Sequence, residues 1–502
     1  MLKSTSLKLA AAAVLMASAG LTAQAQDAGA LVEALVKKGI LNDQEAEQIR
    51  ADMTRDFATT PAGKLNISNS ITELRLYGDL RLRYQYDNKD GQVDPFPVGV
   101  HQDGNEKDRS PSGTQRSRYR FRLRLNADFR LTENFYGGVE LQTAQAADSG
   151  NQTFQDGFND YNIFISKAYL GWTPNAWLDV KAGKIANPFY TTDLVWDPDI
   201  NPTGIAESFA FHKMRFGGID AGQSGMSKDG KSMPPSAPII GDSPWEITLV
   251  AGQFIYDDNA EGSGIDGDLN TDAYLFETQL IVAYNFGNGV KVTLAPAWFI
   301  ETAGSLSGLD NENPFNDSAT VSGATRDLNI LLIPGDISFK IGELKTKVLW
   351  DFAYNFEGRK RVENIYRLTS PAPVGDDGVP DPDDVRKGHS NVDDYAFLAG
   401  FQLGENKKKG DWSVLANYRQ TGLGAVDPNL NDSDFALSEL NTRGIKVGVA
   451  YNFTDFCIGA VTYMKAWNLR QTLPGGGEAT GGAVIAEAND VDVLQVDLNL
   501  KF

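Results

Sequence analysis

Apolar and polar residues alternate with a period of two along most of the chain from Leu74 to the C-terminus. The clearest stretch is RSRYRFRLRLNADFRL at 116–131, where arginines at even positions alternate with aromatic and aliphatic residues at odd positions. Successive side chains of a β-strand point to opposite faces. The stretch therefore predicts a strand with one cationic face and one apolar face.

Sixteen segments of this kind can be counted, and each is near the ~9–11 residues that a tilted strand needs to cross a bilayer. They are residues 74–86, 116–131, 135–142, 162–173, 176–184, 206–216, 245–256, 272–286, 290–301, 328–341, 344–356, 393–404, 411–420, 442–453, 456–467 and 491–502. The alternation is weakest in the sixth and seventh segments.

The connections between these segments alternate in length. Short links rich in Gly, Asn, Asp and Pro lie at 132–134, 174–175, 287–289, 342–343, 405–410 and 454–455. Long polar links lie at 87–115, 143–161, 185–205, 257–271, 302–327, 357–392, 421–441 and 468–490, with one exception to the alternation at 217–244. Transmembrane barrels have short turns at one rim and long loops at the other. The sequence thus predicts an all-β fold, a transmembrane antiparallel β-barrel.

The N-terminal region differs from the rest of the chain. Residues 1–25 have the basic start, the apolar run and the A-x-A site of a secretory signal peptide. Residues 26–58 have apolar positions near helical spacing and predict a short periplasmic helical segment. This segment is either a loosely packed arm or an oligomerising helix. A linker at 59–73 precedes the barrel domain, residues 74–502.

Within the helical segment, Gly39 marks the expected end of a first helix, and Asn42 or Asp43 is suited to cap a second.

Composition narrows the class of protein. The chain has 46 basic and 66 acidic residues and a formal charge of −20, which argues against a nucleic-acid partner. Cys457 is the only cysteine, so no disulfide forms within the chain. Beyond the signal peptide no apolar run reaches 18 residues, and we expect no membrane helix. Localisation in the outer membrane as a barrel fits these features best.

The arginines of 116–131 are expected to face a wet lumen, because an arginine on the lipid face at mid-depth costs ~2–4 kcal/mol. The predicted basic wall consists of Arg81, Arg83, Arg116, Arg118, Arg120, Arg122, Arg124 and Arg130. Such a wall attracts anions or orients polar solutes. The alternative, which stays open, is that the arginines pair with lumenal carboxylates and stiffen the wall.

Three stretches resemble the putative porin family of Gram-negative outer membranes. They are LVEALVKKGILNDQEAEQI in the helical segment, GKIANPFYTTDLVWDPDINPTGIA at 183–206 and the closing VLQVDLNLKF. The insert at 217–244 departs from the short turn that the family implies. The resemblance implies an outer-membrane barrel surrounded by lipid and lipopolysaccharide, a homotrimer, and Phe502 as a signal to the barrel-assembly machinery.

By analogy with sixteen-stranded general porins, the link between the fifth and sixth strands folds inward and narrows the channel. In this chain the link contains Asp193, Asp197 and Asp199, and its prolines suit a loop of fixed shape. The three carboxylates would then oppose the arginine wall across the constriction. The alternative is a surface loop whose aspartates cap turns.

Catalysis and metal binding have little support in the sequence. The histidines are His101, His212 and His389, and the G-x-S-x-G, H-E-x-x-H and phosphate-loop motifs do not occur. The acidic run DDGVPDPDD at 376–384 lacks the spacing of a calcium-binding EF-hand. We therefore expect a protein that is not an enzyme, with no catalytic residue, no metal site and no cofactor.

The function that the sequence favours is an outer-membrane porin, a water-filled channel for passive diffusion of small hydrophilic solutes and ions. The alternatives are a substrate-specific channel for phosphate or other anions and an outer-membrane enzyme. If the wall faces the lumen, neutralising Arg118, Arg120 and Arg122 shifts ion selectivity toward cations.

Overall fold

The computed structural model divides into two compact units, Met1–Ile71 and Thr72–Phe502. The residues it describes are 32, 35–39, 41–59, 68–90, 114–144, 148–154, 158, 160–213, 243–257, 273–302, 328–362, 390–438, 440–470 and 490–502. The predicted signal peptide and residues 217–242 of the predicted insert lie outside the described residues.

The N-terminal unit contains helix α1, Asp43–Thr59. Asn42 is its cap: the Asn42 side chain accepts a hydrogen bond from the Glu45 backbone N–H at 2.8 Å, and the Glu45 carboxylate accepts one from the Asn42 N–H at 3.0 Å. This reciprocal capping box satisfies backbone donors that the first helical turn leaves unpaired. Gly39, with φ of 69°, ends the preceding helical turn as expected. No helix of the described part of the chain has both the length and the apolar character to span a membrane.

The second unit is one closed β-sheet of sixteen wall strands, which confirms the predicted fold and strand count. The strands are β1 (Ile71–Asp90), β2 (Thr114–Leu131), β3 (Phe135–Thr143), β4 (Ile163–Asn175), β5 (Leu178–Lys184), β6 (Thr203–Ala210), β7 (Trp245–Asp257), β8 (Ala273–Asn285), β9 (Lys291–Leu294 and Ala297–Thr302), β10 (Asn329–Leu332 and Gly335–Ile341), β11 (Leu344–Asn355), β12 (Tyr395–Gly404), β13 (Trp412–Thr421), β14 (Thr442–Asn452), β15 (Cys457–Asn468) and β16 (Asp490–Lys501). Consecutive strands are neighbours, and β16 pairs antiparallel with β1, so the sheet has no free edge.

Proline explains why β9 and β10 are each in two pieces. Pro296 and Pro334 have no backbone N–H to give to the ladder. Their carbonyl groups still accept hydrogen bonds from the neighbouring strands, from Leu280 and Ala295 respectively, at 2.9 Å each. The wall therefore continues through both interruptions.

Two strands differ from the prediction by more than two residues at an end. The first strand begins at Ile71, inside the predicted linker 59–73. The sixth covers Thr203–Ala210 rather than 206–216, because its pairing with β5 starts at Lys184 and Thr203 and a helical turn, Phe211–Lys213, ends it.

The two faces of the wall follow the predicted alternation. On β2, Tyr119 is 65% exposed on the outer face, whereas Arg122 on the inner face is 7% exposed. Aromatic pairs gather beside the tight turns, where a belt at the membrane surface is expected. They are Phe135–Trp172, Trp177–Phe209, Trp245–Tyr284, Tyr284–Phe286 and Tyr451–Phe453.

Candidate functional site

The loop between β5 and β6, residues 185–202, lies inside the barrel. Its apolar side chains are buried against inward-facing residues of the far wall, such as Leu275 and Phe299. Trp196 donates a hydrogen bond from Nε1 to Glu277 on β8 at 3.0 Å. Thr192 donates from Oγ1 to Asp351 on β11 at 2.7 Å. Because both acceptors are on the inner face, the loop crosses the lumen rather than covering the outer rim.

A second loop, residues 422–441 between β13 and β14, also enters the lumen. Leu423 and Val426 are completely buried, and Asn355 of β11 donates a hydrogen bond to the Gly424 carbonyl at 2.7 Å. Tyr256 of β7 donates its hydroxyl to Asp427 at 2.5 Å. From the sequence, residues 421–441 were predicted to form one more outer loop. The apolar residues within it were the available signal, since a solvated loop has no use for several of them.

The two inner loops bind each other directly. The Asp197 N–H donates to the Leu430 carbonyl at 2.6 Å, and the Asp432 N–H donates to the Asp193 carbonyl at 3.2 Å. Ser433 donates from its N–H and from Oγ to the Asp197 carboxylate, at 2.9 and 2.8 Å. The loops therefore form one body that partly fills the barrel.

A network of alternating charges ties this body to the wall. Asp193 lies 2.9 Å from Arg419 and 2.6 Å from Lys446. Asp432 lies 3.1 Å and 2.9 Å from the same two cations, whose side chains come from β13 and β14. Burial alone opposes ionisation of Asp193, but Arg419 and then Lys446 outweigh it and hold the pKa of that carboxyl below its usual range. Neither cation was predicted from the sequence, because neither belongs to an arginine-rich stretch.

The arginines of β1 and β2 are mostly paired with carboxylates. Arg83 lies 2.7 Å from Asp497 of the adjoining strand β16 and 3.0 Å from Asp434 of the second inner loop. Arg118 forms an ion pair with Asp87 on β1.

Arg122 and Arg124 of β2 share their carboxylate partners. Arg122 lies 2.9 Å from Asp199 of the first inner loop and 3.2 Å from Asp79 of β1. Arg124 lies 2.7 Å from the same Asp79. These contacts join the arginine wall to the loop body.

Arg81 and Arg120 differ from the other inner arginines. Neither forms a salt bridge with a carboxylate of the described residues. Arg81 donates two hydrogen bonds to the side-chain oxygen of Asn151, at 3.1 and 2.6 Å. Arg120 donates to Gln85, to Ser149 and to the Asn151 carbonyl, at 3.1 to 3.4 Å. Both guanidinium groups thus hold the segment 148–151 with neutral partners.

Two of the predicted wall residues lie apart from this cluster. Arg116 is exposed near the start of β2. Arg130, at the turn end of β2, has a 71% exposed side chain and pairs with Glu73 at 3.2 Å. The other six arginines of the predicted wall are the ones that the fold brings together.

The three predicted aspartates have three different environments. Asp199 is in direct contact with Arg122, so at this point the two charges meet instead of facing each other across open water. Asp193 pairs with Arg419 and Lys446, on another part of the wall. Among the described residues, the Asp197 carboxylate accepts hydrogen bonds only from Ser433 and from the Asp199 N–H.

Asp197 also has an unusual proton affinity for a carboxyl group. Burial raises its pKa to about 7, and the nearby Asp432 and Asp199 carboxylates add to the rise against the hydrogen bonds that lower it. Asp197 therefore changes charge near neutral pH.

The lumen has an apolar side and a polar side. Apolar residues of both loops pack against β7 to β12 and fill that side. Between the loops and the arginine side lie two cavities of about 330 and 300 Å³, and Arg124, Asp197 and Asp199 border both. Water and small polar solutes therefore have room beside the arginines.

Other predicted positions have structural roles. Phe502 pairs with Gly78 of β1 through two backbone hydrogen bonds of 2.8 and 3.0 Å, and its side chain is 63% exposed. A Cβ at Gly78 would lie 2.5 Å from the backbone carbonyl oxygen of Arg124 on β2, so β1 requires glycine there. His212 bonds to the backbone of Ile247 beside a turn. His101 and His389 lie outside the described residues.

Comparison with known proteins gives one family match. The model of the family described as putative porin matches residues 66–502. No curated protein matches the chain.

The chain also matches solved porin structures at low identity. OprB of Pseudomonas putida is 9% identical with a TM-score of 0.44, over 86% of this chain and 94% of that one. OmpF of Salmonella typhi, in complex with daunomycin, is 10% identical with a TM-score of 0.40, over 87% and 99%. A triple mutant of the Rhodopseudomonas blastica porin is 10% identical with a TM-score of 0.38, over 86% and 100%.

Proposed function

The chain belongs to the putative porin family, and from this premise we propose that small hydrophilic solutes and ions cross its barrel by passive diffusion. It is an outer-membrane porin with a closed barrel of sixteen strands. The observation that carries the proposal is the pair of polar cavities between the arginine side of the wall and the first inner loop; the second inner loop borders one of them.

The route that we propose follows the polar side of the lumen. The apolar side is occupied by packed loop residues, which makes the aperture narrower than the barrel. One border of the route is the cationic group Arg81, Arg83, Arg118, Arg120, Arg122 and Arg124. The other border is the first inner loop, with Asp197 and Asp199, so that loop acts as the constriction. Because most of these charges are paired, we expect a modest ion preference.

A substrate-specific channel is the second candidate. The guanidinium groups of Arg81 and Arg120 form no salt bridge with a described carboxylate, so they are the groups that would bind a permeating anion. The neighbouring ion pairs speak against a strongly anion-selective pore, because each brings a carboxylate to the same route. An outer-membrane enzyme has less support, since family and fold both indicate a channel.

The surroundings are also part of the proposal. We propose that residues 1–25 direct export, that residues 26–58 remain periplasmic, and that the barrel functions as a homotrimer among lipid and lipopolysaccharide. Phe502 would be read by the barrel-assembly machinery, and its exposure at the end of the closing strand supports this role.

Planar-bilayer recording of the purified protein tests the function. We expect stable conductance in KCl and a reversal potential in a salt gradient that shows weak selectivity. Replacing Arg118, Arg120 and Arg122 by glutamine removes three positive charges and releases the carboxylate partners of Arg118 and Arg122, so it should shift the reversal potential toward cations. Arg130→Gln is the matched control, because Arg130 is exposed outside the cluster. Absence of conductance would refute the channel, and an unchanged reversal potential in the triple variant would refute the route.

A further inference from the structure

The 300 Å³ cavity between β1, β2 and the two inner loops has charges of both signs. Its ionisable lining residues are Arg81, Arg122, Arg124, Lys446, Asp148, Asp197, Asp199, Asp432 and Asp434. Most of them neutralise one another or a wall residue, as in Arg122–Asp199 at 2.9 Å and Lys446–Asp432 at 2.9 Å. The ionisable groups that have no salt-bridge partner determine which ligand the cavity can bind.

Three ionisable groups of this lining form no salt bridge within the described residues: Arg81, Asp148 and Asp197. The Asp197 carboxylate accepts three hydrogen bonds, so one cation, Arg81, and one anion, Asp148, are the groups left to a ligand. Arg81 bonds to Asn151 and forms no salt bridge with any carboxylate of the described residues. Asp148 has no salt bridge, and no described side chain donates a hydrogen bond to its carboxylate. Both groups line the same cavity, and the segment 148–151 connects them through the Arg81–Asn151 hydrogen bonds.

Both groups are costly where they are. Burial, together with the nearby carboxylates of Asp434 and Asp199, raises the pKa of Asp148. The half-buried Arg81 guanidinium bonds only to an amide oxygen and likewise lacks the charged partner that would offset its desolvation. A ligand that carries one charge of each sign would relieve both costs at once.

We propose that this cavity is a binding subsite for small zwitterions of the amino-acid type, with the carboxylate at Arg81 and the ammonium at Asp148. The proposal rests on the proposed function and names a solute class for the same channel. The cavity has room for about ten waters at ~30 Å³ each, enough for a small amino acid. A phosphate would be repelled by the carboxylates of the same lining, and a simple amine would be repelled by its arginines.

Single-channel recording with three matched probes tests the subsite. L-Alanine carries both charges, L-lactate has a hydroxyl in place of the ammonium, and ethylamine lacks the carboxylate. We expect L-alanine to occlude the KCl current with a saturating dose dependence, and the other two to need at least a tenfold higher concentration. Equal occlusion by L-lactate would show that the cavity is an anion site, and equal occlusion by ethylamine would show that it is a cation site. If L-alanine does not occlude the current, the cavity is not a binding site. Each of these results overturns the proposal.

Variants locate the subsite. Arg81→Gln and Asp148→Asn should each raise the half-occluding concentration of L-alanine at least tenfold. Arg130→Gln and Asp160→Asn change the same charges at exposed positions and should leave it unchanged. An unchanged value in both cavity variants would refute the assignment. A protein that conducts KCl but ignores L-alanine refutes this inference alone, whereas one that conducts nothing refutes the proposed function.

Discussion

Replacing Asp193 by asparagine should loosen the inner loops from the wall. The change keeps the size of the side chain but leaves Arg419 and Lys446 with Asp432 as their only partner in the network. Removing one member of a buried ion pair costs about 3–5 kcal/mol, because a desolvated charge stays behind uncompensated. Since the Asp193 side chain is 22% exposed, we take the lower limit, ~3 kcal/mol.

A loss of ~3 kcal/mol corresponds to roughly a hundredfold change in the ratio of docked to undocked loop, at 1.4 kcal/mol per factor of ten. Undocked loops change the width of the aperture, so Asp193→Asn should show frequent transitions between conductance levels in planar bilayers. Asp411→Asn is the control, because the Asp411 carboxylate accepts hydrogen bonds only from the Lys407 and Lys408 N–H groups of an exposed turn.

A second substitution separates the charge effect from a general defect. Lys446→Met in the Asp193→Asn background leaves one cation, Arg419, with one carboxylate, Asp432. We expect this double variant to show fewer transitions between conductance levels than the single variant, and a double-mutant cycle measures the difference. A single variant with wild-type conductance and noise would refute the view that the network anchors the loops.

Further predictions concern three other positions, Asp197, Leu430 and Leu125. Raising the pH from 6 to 8 ionises Asp197, whose pKa is about 7, and should shift the reversal potential toward cations; Asp197→Asn should reduce the shift. The folded protein binds this proton more tightly than an unfolded chain, in which the pKa of Asp is ~3.9. The stability contributed by Asp197 therefore falls as the pH rises from about 4 to about 7, and the melting temperature of Asp197→Asn should depend less on pH over that range. Leu430→Ala removes buried apolar contact and should destabilise loop packing by about 2–5 kcal/mol, seen as faster proteolysis of the loop in the folded barrel. Leu125→Arg puts a charge on the lipid face and should lower the free energy of unfolding in detergent-free bilayers by ~2–4 kcal/mol, whereas Leu125→Ile should have little effect.

The sequence alone determined the wall of the barrel. A strand between lipid and water must alternate apolar and polar residues, and that local rule gave all sixteen strands and the inward face of the β2 arginines. The same rule failed at the start of the sixth strand. There, pairing between Lys184 and Thr203 sets the boundary, and the alternation does not mark it.

Only the tertiary structure decided what fills the barrel. Arg83 pairs with Asp497, 414 positions away, and Arg419 pairs with Asp193, 226 positions away. Periodicity carries no information about such partners, because it reports which face a side chain occupies and not what lies opposite. The inward path of residues 422–441 was hidden for the same reason: a loop has no repeating pattern, and its direction depends on contacts that exist only once the barrel has closed.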